Sequence, residues 1–144
     1  MTGATIPAPS TAPSTAEALI AALTLAPHPE GGWYRQTWID RTAEGRPHGT
    51  AILFLLKAGE RSHWHRVDAA EIWFWHGGAP LILSTAADAA GPAQDRVLGP
   101  EVLAGQMPQL IVPKDHWQAA TSMGAYTLVS CTVSPGFSFD GFTL

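Results

Sequence analysis

Between residues 33 and 133, apolar and polar positions alternate in short runs, the two-residue period of half-buried strands. Residues 33–39 place Tyr34, Gln36 and Trp38 on one side and Trp33, Arg35 and Thr37 on the other. Residues 51–57 are almost wholly apolar, which suits a strand covered on both faces. Further strands are expected over 62–66, 71–76, 80–84, 109–112, 117–120 and 125–133. Glycine or proline separates most of them, as at Gly77-Gly78, Gly99-Pro100 and Pro135-Gly136. Residues 45–49 and 88–91 read as exposed loops. Helical spacing occurs over 16–25, where Leu19, Ile20 and Leu23 follow a capping Ser14 or Thr15 and Pro27 and Pro29 end the run. Many short strands and one short helix predict an all-β sandwich or small barrel.

Composition sharpens this picture. Residues 1–15 (MTGATIPAPSTAPST) are a Pro/Ala-rich tract with too little apolar surface to order itself, so a disordered tail is expected ahead of one domain over 16–144. Charged residues make up 14% of the chain, against about 25% in an average soluble domain. The net charge is −4 and the 8 basic residues are scattered, leaving no cluster to neutralise phosphates. Nucleic acid is therefore not an expected partner. No apolar run approaches the roughly 20 residues that span a bilayer, and no basic start precedes a greasy stretch, so no membrane and a cytoplasmic location are expected. The single cysteine, Cys131, lies in a β-like run and reads as a small buried hydrophobe.

The densest chemistry is Ser62-His63-Trp64-His65, followed by Glu71. In an extended strand His63 and His65 project together while Trp64 faces away. The next strand carries Glu71, Trp73 and Trp75 on one face and Ile72, Phe74 and His76 on the other. If the two strands pair as a hairpin over residues 66–70, Glu71 approaches His65. A third imidazole, His116, opens the strand 117–120. Imidazoles with a carboxylate suit a divalent metal ion such as Zn, Fe, Mn or Ni. Plainer readings stand beside each residue: Glu71 is also placed to pair with Arg61 or Arg66, and His116 to sit metal-free at a barrel mouth. His28 and His48, beside prolines, read as solvent-facing or turn residues. Trp73, Trp75 and Trp117 read as core and pocket lining, with Arg35 and Gln118 as polar anchors for a small-molecule ligand.

The order Gly59-x3-His63-x-His65-x5-Glu71-x5-Gly77, then Gly105-x7-Pro113-x2-His116, resembles the two-motif signature of the cupin superfamily. Four separated segments, 28–34 (HPEGGWY), 62–80 (SHWHRVDAAEIWFWHGGAP), 112–120 (VPKDHWQAA) and 131–139 (CTVSPGFSF), resemble the Cupin-5 family more narrowly. The resemblance implies a double-stranded β-helix, the jelly-roll cupin barrel, and a homodimer. It also implies a pocket like those of sugar-nucleotide epimerases or ligand-binding cupins, and one metal held by His63, His65, Glu71 and His116. Phe74 stands where that family's pattern suggests a second histidine, and Ala120 where many cupins carry an asparagine.

Three functional readings follow. The first is a metal-dependent enzyme acting on a small polar substrate. The second is a metal-free isomerase or epimerase, with His65 as general base oriented by Glu71 and with Tyr34 or Tyr126 as acid. The third is a ligand-binding or sensing cupin without turnover. Phe137, Phe139, Phe142 and Leu144 are apolar surface to be covered by a second subunit or by the chain's own barrel, and a two-fold dimer is expected.

Overall fold

The structure, a computed structural model, describes residues 14–144, so residues 1–13 of the expected tail lie outside the described residues. Helix α1 (Thr15–Leu23) starts where Ser14 accepts the Glu17 backbone N–H, inside the segment read as tail. It stops at Thr24, whose left-handed backbone turns its N–H back onto Ala21 before either proline is reached.

Eleven strands follow: β1 (Ala26–Pro27), β2 (Trp33–Asp40), β3 (Gly49–Lys57), β4 (Arg61–Val67), β5 (Ala70–Gly78) and β6 (Leu81–Ala86), then β7 (Gln94–Leu98), β8 (Gln109–Val112), β9 (Trp117–Ser122), β10 (Tyr126–Ser134) and β11 (Phe142–Thr143). They form two sheets, one ordered β1-β2-β3-β10-β5-β8 and the other β11-β4-β9-β6-β7, with every named pairing antiparallel. This is the all-β jelly-roll architecture expected of a cupin. No helix among the described residues is long and apolar enough to cross a membrane.

The sheets close on a core that includes Phe54, Leu56, Trp73, Leu83, Leu110 and Val129. Each such side chain contributes roughly 1.5–3 kcal/mol on leaving water. Strand β3 is covered on both sides, as its composition suggested. Phe54 and Leu56 point into the barrel, while Leu55 lies beneath α1 with Ala16 and Leu25.

Two expectations change here. Strands β4 and β5 do not form a hairpin. The chain crosses from one sheet to the other at Asp68-Ala69, so β4 pairs with β9 and β11 while β5 pairs with β10 and β8. Strand β7 has no apolar alternation to announce it, because it is an edge strand that buries little beyond Leu98. At the C-terminal end, Phe137 and Phe142 fold back against Val67, Ala69 and Val133, so the barrel itself covers part of that apolar surface. Phe139 remains half-exposed beside them.

Candidate active site

The loop between β1 and β2 brings His28 and Glu30 inside the barrel. It folds tightly, with the His28 N–H donating to Gly32 O and the Gly31 N–H to His28 O, both at 2.9 Å. Gly31 has φ +102°, and a Cβ there would collide with the Arg61 carbonyl, so this turn requires glycine. The sequence read His28 as a solvent-facing or turn residue and did not single out Glu30; His28 does open a turn, but one that faces inward. Both residues are buried, because Gly31 lets the loop press onto β4 and Gly32 lets it press onto Phe54 and Leu56 of β3.

Strand β4 receives the loop through a bulge. Its pairing with β9 shifts register between Ser62 and His65, leaving one extra residue on β4. The shift points Ser62 and His65 inward and His63 outward, against the simple alternation that grouped His63 with His65. It also frees the His63 backbone for the site: its N–H donates to Glu30 O and its carbonyl accepts from His65 Nδ1, each at 2.7 Å.

Because that carbonyl can only accept, His65 Nδ1 carries a proton. Its Nε2 lies 3.0 Å from Glu30 Oε2, an oxygen that also accepts from the Ser62 hydroxyl. Burial alone would lower the His65 pKa, but the hydrogen bond and charge of Glu30 prevail and raise it. Burial would likewise raise Glu30, and the His65 hydrogen bond outweighs it, so the carboxyl is held low. The pair is therefore imidazolium and carboxylate. His28 differs: its Nδ1 accepts the Glu30 backbone N–H at 3.0 Å, which fixes the neutral ring as the Nε2–H tautomer. Burial, only partly offset by the charge of Glu30, lowers its pKa.

Glu71 enters from the opposite sheet. Its Oε1 accepts from Gln118 Nε2 at 3.0 Å, and Gln118 Oε1 accepts from Trp73 Nε1 at 2.9 Å. An indole nitrogen can only donate, so this chain fixes the orientation of the Gln118 amide. Burial, reinforced by the charge of Glu30 and opposed by that of His65, pushes the Glu71 carboxyl up to about 7. Burial and the neighbouring Glu71 hold the Cys131 thiol far above its usual range, which removes it as a nucleophile.

These groups line a cavity of about 180 Å³ that also takes in Tyr34, with Phe139 at its edge. A larger outer cleft of about 500 Å³, between Trp64, Trp117 and the loop before β7, holds only Asp88 among its titratable linings. The chemistry lies in the smaller space.

Of the residues predicted from the sequence, His65, Glu71 and Tyr34 meet in the cavity, and Gln118 stands directly behind Glu71. The remaining ones are elsewhere. His63 is exposed, and His116 is half-buried at the head of β9, its N–H turned back to Pro113 O. Arg35 faces outward because Tyr34 takes the inward position on β2. Trp73 is sealed in the core, Trp75 donates to Ala79 O, and Tyr126 packs near α1. The four expected metal ligands His63, His65, Glu71 and His116 thus do not converge. Among the described residues no three His, Cys, Asp or Glu side chains are placed to hold a metal ion. Both nitrogens of His65 are already engaged. These residues as arranged do not fit a metal centre.

The Cupin_5 family, described as Cupin superfamily (DUF985), matches residues 17–144. The chain belongs to this family. Two solved structures of similar size share its fold. A hypothetical protein from Leishmania major is 31% identical, with TM-score 0.81, over 91% of this chain and 87% of that one. A protein from Shewanella oneidensis is 38% identical, with TM-score 0.84, over 91% and 84%. The oxalate decarboxylase of Bacillus subtilis, whose Mn(II) centres are described, aligns at TM-score 0.61 and 14% identity over 81% of this chain and 29% of that one. That likeness shows the cupin fold alone. No curated protein matches the chain.

Proposed function

We propose that this Cupin_5 protein is an isomerase or epimerase that moves a proton next to a carbonyl group without a metal ion. The observation that carries this reading is a buried carboxyl, Glu71, poised at about 7 inside a closed-sided cavity. A general base works best when its pKa lies near the operating pH, and burial supplies that condition here.

In the proposed step, Glu71 removes the proton from the carbon beside the substrate carbonyl. The C–H bonding pair becomes the double bond of an enolate, and the carbonyl oxygen gains the negative charge. Tyr34 donates a hydrogen bond to that oxygen, while the His65 imidazolium, spent on Glu30, neutralises that second carboxylate beside the site. Return of the proton from Glu71 to the former carbonyl carbon, while Tyr34 protonates the enolate oxygen and takes the proton of the neighbouring hydroxyl, completes isomerisation; epimerisation requires instead that water deliver a proton to the opposite face of the enolate. These roles differ from those expected from the sequence. His65 has no free nitrogen with which to accept a proton, and its orienting carboxylate is Glu30, not Glu71.

The test is solvent deuterium uptake, followed by NMR, into small aldoses and ketoses incubated with protein pretreated with a chelator. Uptake is expected to persist after chelation and to fall about 100- to 10,000-fold in Glu71→Gln. Uptake that vanishes with the chelator and returns with added metal would overturn the reading.

A further inference from the structure

We infer that the cavity selects an uncharged hydroxycarbonyl compound and rejects phosphorylated and carboxylated ones, because its walls hold no cation free to pair with an anion. The inference deepens the proton-transfer reading above and rests on it for the carbonyl group, whereas the charge selectivity rests on the walls alone.

Among the described residues lining the cavity, none is lysine or arginine. The charged groups there are Glu30, Glu71 and His65, with His28 neutral. Glu30 and His65 cancel, so the lining carries no net charge when Glu71 is protonated and one negative charge when it is ionised. The His65 cation is already spent, one nitrogen on Glu30 and the other on the His63 carbonyl. A phosphate or carboxylate entering the cavity would shed its water against two glutamates with only neutral donors and no free cation in return.

Arginines lie close in sequence and still do not serve the site. Arg35 on β2 and Arg61 and Arg66 on β4 are all exposed, and Arg66 stacks over Trp117 at 5.2 Å on the outer face. The strands that carry Tyr34 and His65 inward therefore turn their cations outward.

What faces inward suits hydroxyl groups. Tyr34 and Gln36 provide neutral polar atoms at the lining. The Thr50 oxygen accepts the Phe137 N–H at 2.8 Å, so its own hydrogen is left to donate. Ile52, Val133 and Phe139 offer apolar surface to the C–H side of such a molecule. Size points the same way: a cavity of about 180 Å³ lies below the roughly 300–1,000 Å³ of drug-sized ligand pockets, which suits a small molecule.

The experiment compares binding of dihydroxyacetone and D-erythrose with that of dihydroxyacetone phosphate and oxalate, by NMR titration of the full chain at pH 6 and pH 8. The neutral compounds are expected to bind at least tenfold more tightly at pH 8. For oxalate, a dianion at both pH values, the gap should widen from pH 6 to pH 8 in the wild type, as Glu71 ionises, and widen less in Glu71→Gln. Anions that bind as well as the neutral compounds, or neutral compounds that do not bind, would overturn the inference. Tight neutral binding without deuterium uptake would leave the charge selectivity standing and remove the proton-transfer reading, so the two fail separately.

Discussion

Glu71 is a carboxyl that the folded barrel prefers to keep protonated, and that preference has a measurable cost. With its pKa raised from 4.5 to about 7, the native state holds more protons than the unfolded chain across that window. Stability from this group is therefore present at low pH and is lost as pH rises toward about 7, an effect of at most about 3 kcal/mol. His65, raised as well, adds a loss of the same sign as pH climbs through its native value. Glu30, held low, contributes stability above its ordinary pKa and loses it only in acid. Urea denaturation at pH 5.5 and pH 8 should show the wild type weakening with pH and Glu71→Gln weakening distinctly less. At this scale the sequence was half legible. His65, Glu71, Tyr34 and Gln118 could be found because inward-facing side chains on strands obey a two-residue period. His28 and Glu30 could not, because a loop carries no period. Their only signal was the His28-Pro29-Glu30-Gly31-Gly32 run, whose glycines mark a close backbone approach rather than a solvent-facing turn.

The elements that build the site are a glycine turn and a bulged strand pressed together. The His63 N–H to Glu30 O bond and the Ser62 hydroxyl on Glu30 are the contacts that dock one on the other. Gly31→Ala would force a Cβ into the Arg61 carbonyl at a backbone angle that L residues rarely adopt. We expect it to cost about 1–3 kcal/mol and to free Glu30 from His65. Thermal denaturation would read the first effect, and loss of the downfield imidazolium proton signals of His65 in NMR the second. Most strands were visible in the hydrophobic pattern, including β8 with identical limits. The bulge was not, since His63-Trp64-His65 reads as plain alternation until the pairing with β9 is known. The β4–β5 hairpin failed for a related reason. Sequence proximity favours a hairpin, but the burial of Val67 and Ala69 against Val133 carries the chain around the corner into the other sheet.

At the scale of the whole molecule, the barrel is two sheets that meet through an apolar core and, beside the cavity, through a polar chain. Glu71 and Trp73 stand on the first sheet, and Gln118, bonded to both, stands on the second. The family and the jelly roll were readable from four spaced segments because those segments hold the glycine turn, the inward-facing His65 and Glu71, and the start of β9 in this barrel. The position of the chemistry was not, because it depends on which sheet each strand joins. The indole at the end of the polar chain also makes the protein its own optical indicator. Trp73 is sealed from water, and its ring nitrogen reports through one amide on a titrating acid. Its emission should therefore change in wavelength or yield as pH crosses about 7 or as a molecule fills the cavity. In Gln118→Leu that response should disappear, so a fluorimeter would suffice to follow occupancy before any substrate has been named.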